Sequence, residues 1–337
     1  MIFEGLPTTP RSEELIDKAF SRAARAGRAK QGLEAQQSML QTASNILSDN
    51  LENVVTDWPD FDLVDPFYYE LADVVLKNER SFGGREGEGG VDILRQSLSE
   101  VGWASRQVRE IRDEYASKLR RTDPETARKH RKQAFARMAD VVEEVEADLR
   151  RVGDARDALK TLPDIRPDEP TLVVAGYPNV GKSSFVNAVT RAKNEIAEYP
   201  FTTRGVQIGH FERDHIRYQI IDTPGLLDRP EAERNDIERQ AVSALSHLAD
   251  AVLFVVDASE ACGYPLDAQL ELRDAVAARF EGADVPVITV CNKSDRSTDV
   301  EADAYMSVAE GENVDGVLDL AIRAVGFEPD LPSRENR

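Results

Sequence analysis

Cysteine and histidine are scarce. Only Cys262 and Cys291, and four histidines (His130, His210, His215 and His247), occur in 337 residues. Neither residue type is spaced as a metal site or a disulfide framework, so the sequence predicts a chain of the reducing cytosol. No apolar run is long enough to span a membrane, and Met1-Ile2-Phe3-Glu4 does not open like a signal peptide. A cytoplasmic location without membrane contact is therefore expected. Positive charge is also short: 42 Lys and Arg stand against 62 Asp and Glu, a formal net charge of −20. Arginine greatly outnumbers lysine. Residues 1–165 carry 25 basic and 31 acidic side chains, and the remainder 17 and 31. In ordinary cytosol such a surplus opposes the binding of anions. Acid-rich, lysine-poor surfaces suit molar salt, where the screening length falls to roughly 3 Å. The composition points to a salt-loving archaeon, with an acidic, highly soluble mesophilic protein as the alternative.

What the sequence does contain is a set of phosphate- and base-reading motifs in a fixed order. Residues 176–183 read G-Y-P-N-V-G-K-S, after the apolar run Leu172-Val173-Val174-Ala175 and before Ser184-Phe185-Val186-Asn187-Ala188-Val189. A buried strand, a glycine-bearing turn and a helix start are the context a phosphate loop requires. Gly176 and Gly181 let the backbone wrap a polyphosphate, and the N–H groups of the helix N-terminus face the anion. The expected nucleotide-binding set is Asn179, Val180, Gly181, Lys182, Ser183 and Ser184. In it Lys182 reaches the β- and γ-phosphates and Ser183 holds magnesium.

Asp222-Thr223-Pro224-Gly225 follows a second strand, Ile216–Ile221. Alone it is a turn; behind a phosphate loop, Asp222 is the second magnesium group and the Gly225 N–H a γ-phosphate contact. Asn292-Lys293-Ser294-Asp295 ends the apolar run Val285–Val290. The Asp295 carboxylate matches the paired N1–H and amine donors of guanine, which adenine lacks. Asn292 contacts the base edge and ties down the phosphate loop, and the stem of Lys293 packs on the base face. Met306-Ser307-Val308-Ala309 supplies N–H groups for the guanine carbonyl, with Ser307 and Val308 assigned to the site. Between the first two motifs, Tyr199-Pro200-Phe201-Thr202-Thr203-Arg204-Gly205 reads as a loop that closes over the γ-phosphate. Thr203 is the expected magnesium-sensing hydroxyl and Thr202 the fallback; a threonine-rich turn before a strand is the plainer reading. Lys182, Thr203 and Gly225 form the expected catalytic set, and the ligands GTP and GDP.

The stretches GYPNVGKSSFVNAVT, YPFTTRGVQIGHF, DTPGLLDRP and NKSD resemble the Obg-related GTPases, and most of all their Nog branch, the nucleolar GTP-binding proteins and their archaeal relatives. Phe3-Glu4-Gly5-Leu6-Pro7 and Ser12-Glu13-Glu14-Leu15-Ile16-Asp17 resemble that branch too. The resemblance implies a Ras-like domain behind an N-terminal helical bundle and work in large ribosomal subunit assembly. Its partners would be a pre-large-subunit ribosomal particle and rRNA. Eukaryotic members carry a long basic C-terminal extension, whose functions are not carried over to this chain. The fourth guanine element reads S-V-A where S-A-K is usual. Leu226 stands where Ras-type proteins orient water with Gln, so slow intrinsic hydrolysis is expected. Related GTPases with Asn at position 179 hold a potassium ion beside the phosphates. Asn179 is therefore the candidate potassium ligand, unless it merely braces the loop.

The organisation follows in two parts: residues 1–165 as a helical bundle and 166–330 as the GTPase domain, with a disordered tail at 331–337. Thr9-Pro10 is expected to cap a first helix to Arg28. Further helices are expected at Gly32–Val54, from Asp65-Pro66 to about Asn78, and at Val91–Leu119. Ser81–Gly90 reads as a loop. Thr122-x-x-Glu125 is expected to cap an unbroken helix to about Leu159. From Lys118 to Arg137 the acidic trend reverses, with Lys118, Arg120, Arg121, Arg128, Lys129, Arg131, Lys132 and Arg137 against Asp123 and Glu125. A basic hairpin suits a phosphate backbone. The alternative is a solvated face paired with Glu143, Glu144 and Glu146. In the GTPase part, strands alternate with helices, including Leu266–Phe280 and Val314–Val325, which implies a parallel-rich sheet with helices on both faces. The second switch and its helix are expected at Glu231–His247. Two other readings stay open: a guanine-nucleotide sensor on mature ribosomes, and a GTP-gated scaffold.

Overall fold

The computed structural model describes residues 2–82, 89–120, 122–162, 165–190, 195–197, 206–223, 227–228 and 236–327. The segments expected to hold Thr202 and Thr203, Gly225 and Leu226, Glu231–Asn235 and the tail from 331 lie outside these residues, as does Arg121. The chain divides into two compact units, residues 1–64 with 75–161, and residues 65–74 with 162–337.

The first unit is helical: α1 (Ser12–Arg28), α2 (Gly32–Thr56), the last turn of α3 (Pro66–Asn78), a 3-10 turn at Arg80–Phe82, α4 (Gly90–Leu119), α5 (Pro124–Glu144) and α6 (Glu146–Leu159). Its core is a seam between α2 and α4. Leu40, Leu47, Leu51, Leu94, Val101 and Val108 are fully or almost fully buried there at helical spacing. Small residues let the two backbones approach, and Ser105 Oγ donates across the seam to Ser48 O at 2.9 Å. Two helix starts differ from the sequence expectation. The Thr9-Pro10 cap is not formed: α1 begins at Ser12, whose N–H donates to Glu146 Oε2 at 2.9 Å. A carboxylate 134 positions away thus satisfies a donor that a local cap was expected to serve. Thr122 is not the cap of α5 either. Asp123 is, accepting from the N–H groups of Glu125 and Thr126 at 2.9 and 3.1 Å, with Pro124 at the first helical position. Nor does that helix run unbroken to Leu159. Val145, buried at φ −97° and ψ 15°, separates α5 from α6.

The second unit is a seven-stranded sheet with helices. Its elements are β1 (Thr171–Ala175), α7 (Lys182–Val189), β2 (Glu195–Ala197), β3 (Val206–Arg213), β4 (Ile216–Asp222), α8 (Asp236–Leu248), β5 (Ala251–Val256), α9 (Leu266–Glu281), β6 (Val287–Cys291), β7 (Ala304–Tyr305) and α10 (Val314–Val325). The strand order is β2-β3-β4-β1-β5-β6-β7. β2, β3 and β4 pair antiparallel, and β4, β1, β5, β6 and β7 are mutually parallel. Every residue of β1 and of β5 is buried. Strand side chains alternate between faces, so unbroken burial means both faces of the sheet are covered there. α7 and α10 pack together over the sheet, and α9 packs on β5 and β6.

Residues 65–74, most of α3, belong to this unit. The Tyr68 hydroxyl donates to Ile165 O and accepts from the Ile165 N–H at 3.1 Å. Glu70 Oε1 lies 2.9 Å from His247 Nε2, on the last turn of α8. No helix among the described residues is long and apolar enough to cross a membrane.

Candidate nucleotide-binding site and basic surface

The parallel strands deliver their carboxyl ends to one edge of the sheet, where ligands of open α/β sheets bind. The 176–183 loop leaves β1, Asp222 ends β4, Asp257 follows β5, Asn292 follows β6, and Met306-Ser307 follow β7. The loop needs its two outer glycines. Gly176 has φ +130°, and a Cβ there would lie 2.4 Å from Val255 O. Gly181 has φ +110°, and a Cβ there would lie 2.1 Å from Asn292 Nδ2. Among the described residues, the backbone N–H groups from Asn179 to Ser184 have no protein acceptor. They sit at the N-terminus of α7, where the helix dipole adds positive potential, so the loop is a receptor for an anion. Val180 is buried; Asn179, at φ +63°, and Ser184 are exposed.

Lys182 is buried, and its Nζ donates to Gly176 O at 2.7 Å and Tyr177 O at 2.9 Å. Burial pushes its ammonium below the usual lysine range, against the opposing pull of Asp222 and Asp228. The Ser183 hydroxyl donates to Asp222 Oδ2. Asp222 is fully buried, and burial holds its carboxyl above the usual range despite Ser183 and Lys182. Its other oxygen, Oδ1, is buried with no hydrogen-bond partner among the described residues. An orphaned carboxylate oxygen beside a serine hydroxyl is a donor set that fits a hard divalent cation. Thr223 pins the following turn by donating from Oγ1 to Val174 O at 3.0 Å, and Leu227 O accepts from the Gly176 N–H at 3.2 Å.

The base side is built around Asn292. Its Nδ2 donates to Val180 O at 2.8 Å, and its Oδ1 accepts from the Val308 N–H at 3.1 Å. The buried Ser307 donates from Oγ to Asp295 Oδ1 at 2.6 Å, which fixes the carboxylate. Ser307 thus enters through its side chain, because its N–H donates to Glu312 O at 3.1 Å. Val308 N–H is shared with Asn292, and Ala309 N–H is the donor of this turn without a protein acceptor among the described residues. Lys293, at φ +58°, places Nζ 2.7 Å from Asp257 Oδ2. Sequence reasoning missed Asp257, which carried no signal beyond ending a buried strand.

Residues 3–166 match a family described as the NOG1 N-terminal helical domain, and residues 171–293 one described as 50S ribosome-binding GTPase. An uncharacterized protein of Methanocaldococcus jannaschii is 36% identical over 303 residues, 87% of this chain and 81% of its own length. The chain belongs to the nucleolar GTP-binding protein 1 family. The nucleolar GTP-binding protein 1 of Saccharomyces cerevisiae is 32% identical over 272 residues, 80% of this chain, and that of Drosophila melanogaster 36% over 248 residues, 73% of this chain. The matched regions span 40% and 36% of those longer proteins. A solved structure of nucleolar GTP-binding protein 1 from Plasmodium falciparum aligns with 49% of this chain and 90% of its own, at 32% identity and a TM-score of 0.44. The GTPase domain of this family binds guanine nucleotides, normally with Mg2+. In this chain Ser183 and Asp222 have the chemistry to hold that ion.

The basic surface lies on the α4–α5 hairpin of the first unit. The structure sorts its residues. Lys118 and Arg137 both pair with Glu114, at 2.7 Å each, and both lie over the Tyr115 ring. Arg131 is half-buried, bonded to Gln36 Oε1 at 2.8 Å and stacked on Phe135. Lys129 is 3.8 Å from Glu125 with both ends exposed, a pair of little energy. Arg120, Arg128 and Lys132 are exposed without an acidic partner among the described residues. Glu143 and Glu144 form no ion pair with this set, and Glu146 faces Ser12 and Arg150 instead.

Proposed function

We propose that this chain is a guanine-nucleotide switch that hydrolyses GTP to GDP and phosphate and acts in the assembly of the large ribosomal subunit. The observation that carries the nucleotide part is Asn292, which ties the phosphate loop at Val180 to the 306–309 turn. Asp295, fixed by Ser307, reads the guanine amine and N1–H; adenine leaves it unpaired. The unfilled N–H groups at 179–184 take the phosphates. Lys182 exchanges two carbonyl partners for phosphate oxygens, whose negative charge opposes the downward pull of burial on its ammonium. Magnesium, when bound, neutralises charge on the β- and γ-phosphates. Ser183 and Asp222 would hold it, while the Thr203 hydroxyl would sense the γ-phosphate and the Gly225 N–H would contact it. Leu226 supplies no hydrogen bond to water, so intrinsic hydrolysis is slow and waits on a partner or on a potassium ion at Asn179.

Ribosomal RNA is the second ligand. Arg120, Arg128 and Lys132 leave their charges free for phosphates, while Lys118, Arg137 and Arg131 are held in place by Glu114 and Gln36. Support for the ribosomal setting also comes from the two matched families. The test is co-sedimentation with ribosomal particles at high potassium chloride, comparing a non-hydrolysable GTP analogue with GDP. Nucleotide-dependent binding to large-subunit precursors is expected. Binding to mature ribosomes instead supports a sensor, and binding in neither state removes the ribosomal role.

A further inference from the structure

Asp257 is a fully buried carboxylate at the end of β5. A buried ionised carboxylate is stable only when its oxygens are filled. Here Oδ1 accepts from the Ser259 N–H at 3.0 Å and from the Ser259 hydroxyl. Oδ2 accepts from the Cys262 N–H at 2.8 Å and from Lys293 Nζ at 2.7 Å. Burial pushes this carboxyl up, and the Lys293 and Ser259 hydrogen bonds outweigh it, leaving it below the usual range.

The backbone of Asp257 is clamped as firmly as its side chain. Gln269, fully buried on α9, accepts from the Asp257 N–H at 2.8 Å and donates to Asp257 O at 3.1 Å and Tyr264 O at 2.9 Å. The Tyr264 ring lies 4.4 Å from that of Tyr177, inside the phosphate loop. Lys293 itself sits in the left-handed backbone region, which a non-glycine residue adopts at a cost. The 257–264 segment therefore reaches the base side through Lys293 and the phosphate side through Tyr177.

We propose that Asp257 is a positioning residue for guanine: by fixing the ammonium of Lys293, it holds the lysine stem in place as one wall of the base pocket. The inference rests on the guanine-nucleotide reading above. Asp257 touches no nucleotide; it acts through Lys293. The tight GDP state depends on the pair, not on either side chain alone.

The test is a double-mutant cycle on the full chain, reading the dissociation rate of fluorescently labelled GDP in Asp257→Asn, Lys293→Met and the double variant. Lys293→Met keeps an apolar stem and loses the ammonium. Each single variant is expected to speed GDP release about tenfold, and the double variant no more than either, because the pair is one unit. A residue with a merely structural role gives losses that multiply, and multiplying losses overturn the proposal. So does wild-type GDP release by Asp257→Asn. If thermal melting shows Asp257→Asn unfolded, Lys293→Met decides alone, and wild-type release from it overturns the proposal. A wild-type chain that binds no GDP overturns the parent reading and this one with it.

Discussion

The side-chain amide of Asn292 donates to the carbonyl of Val180 at 2.8 Å, joining residues 112 positions apart. Its oxygen accepts from Val308. Asn292→Ala leaves a buried carbonyl and a backbone N–H unpaired, which costs about 1–3 kcal/mol each where water is excluded. Both the nucleotide-free Tm and GDP affinity are expected to fall. A variant that melts lower but binds GDP as tightly as wild type contradicts the link between the two halves of the site.

As the proposed magnesium ligand, Asp222 is expected to make magnesium binding dependent on pH. Its pKa is raised in the fold, so the proton is held to higher pH than in the unfolded chain. The carboxyl therefore favours folding below its unfolded value, and that contribution is lost as pH rises through the folded value. A metal needs the ionised form and expels the proton. Titration of the GDP-bound chain with Mg2+ is expected to release protons, and Mg2+ affinity to weaken as pH falls through the raised folded value of Asp222. In Asp222→Asn the affinity is low and flat with pH. A flat wild-type profile contradicts this role.

Asn179 is exposed at φ +63° beside the unfilled N–H groups. GTP hydrolysis is expected to run several-fold faster in potassium chloride than in sodium chloride of equal strength, and Asn179→Ala to remove the difference. Equal rates in the two salts remove the potassium ion from the account.

The three unpaired cations of the α4–α5 hairpin give a graded expectation. Arg120→Glu, Arg128→Glu and Lys132→Glu together are expected to weaken binding to ribosomal RNA. Each lost phosphate contact lowers the slope of log affinity against log salt by about one. Arg131→Gln is expected to act mainly on stability, because Arg131 stacks on Phe135 and bonds Gln36. Filter binding over a salt series reads both. A slope unchanged in the triple variant moves RNA contact elsewhere.

The nucleotide motifs were legible because each is a short local pattern whose chemistry needs particular residues at particular spacings. Gly176 and Gly181 illustrate this: the backbone conformation required of them excludes a side chain. The strands β1 and β5 were legible as apolar runs buried on both faces. What stayed hidden was non-local. Glu146 serves the N–H of Ser12 from another helix, which no pattern around Thr9-Pro10 records. Thr122 and Asp123 are both good caps, and only the backbone shows that Asp123 takes the donors. Residues 65–74 read as part of a bundle, yet Tyr68 and Glu70 bond Ile165 and His247 of the sheet-bearing unit. Asp257 needed Lys293 beside it in space before it had any meaning.

The most direct test of the central claim is calorimetric titration of the full chain with GDP, ADP and XDP, beside Asp295→Asn. Xanthine carries an oxygen where guanine carries the amine, so an amide at position 295 can donate to it. The account predicts tight GDP binding and rejection of ADP by about 10⁴-fold in the wild type, with preference moving to XDP in Asp295→Asn. Comparable affinity for GDP and ADP, or a selectivity indifferent to residue 295, would contradict the account.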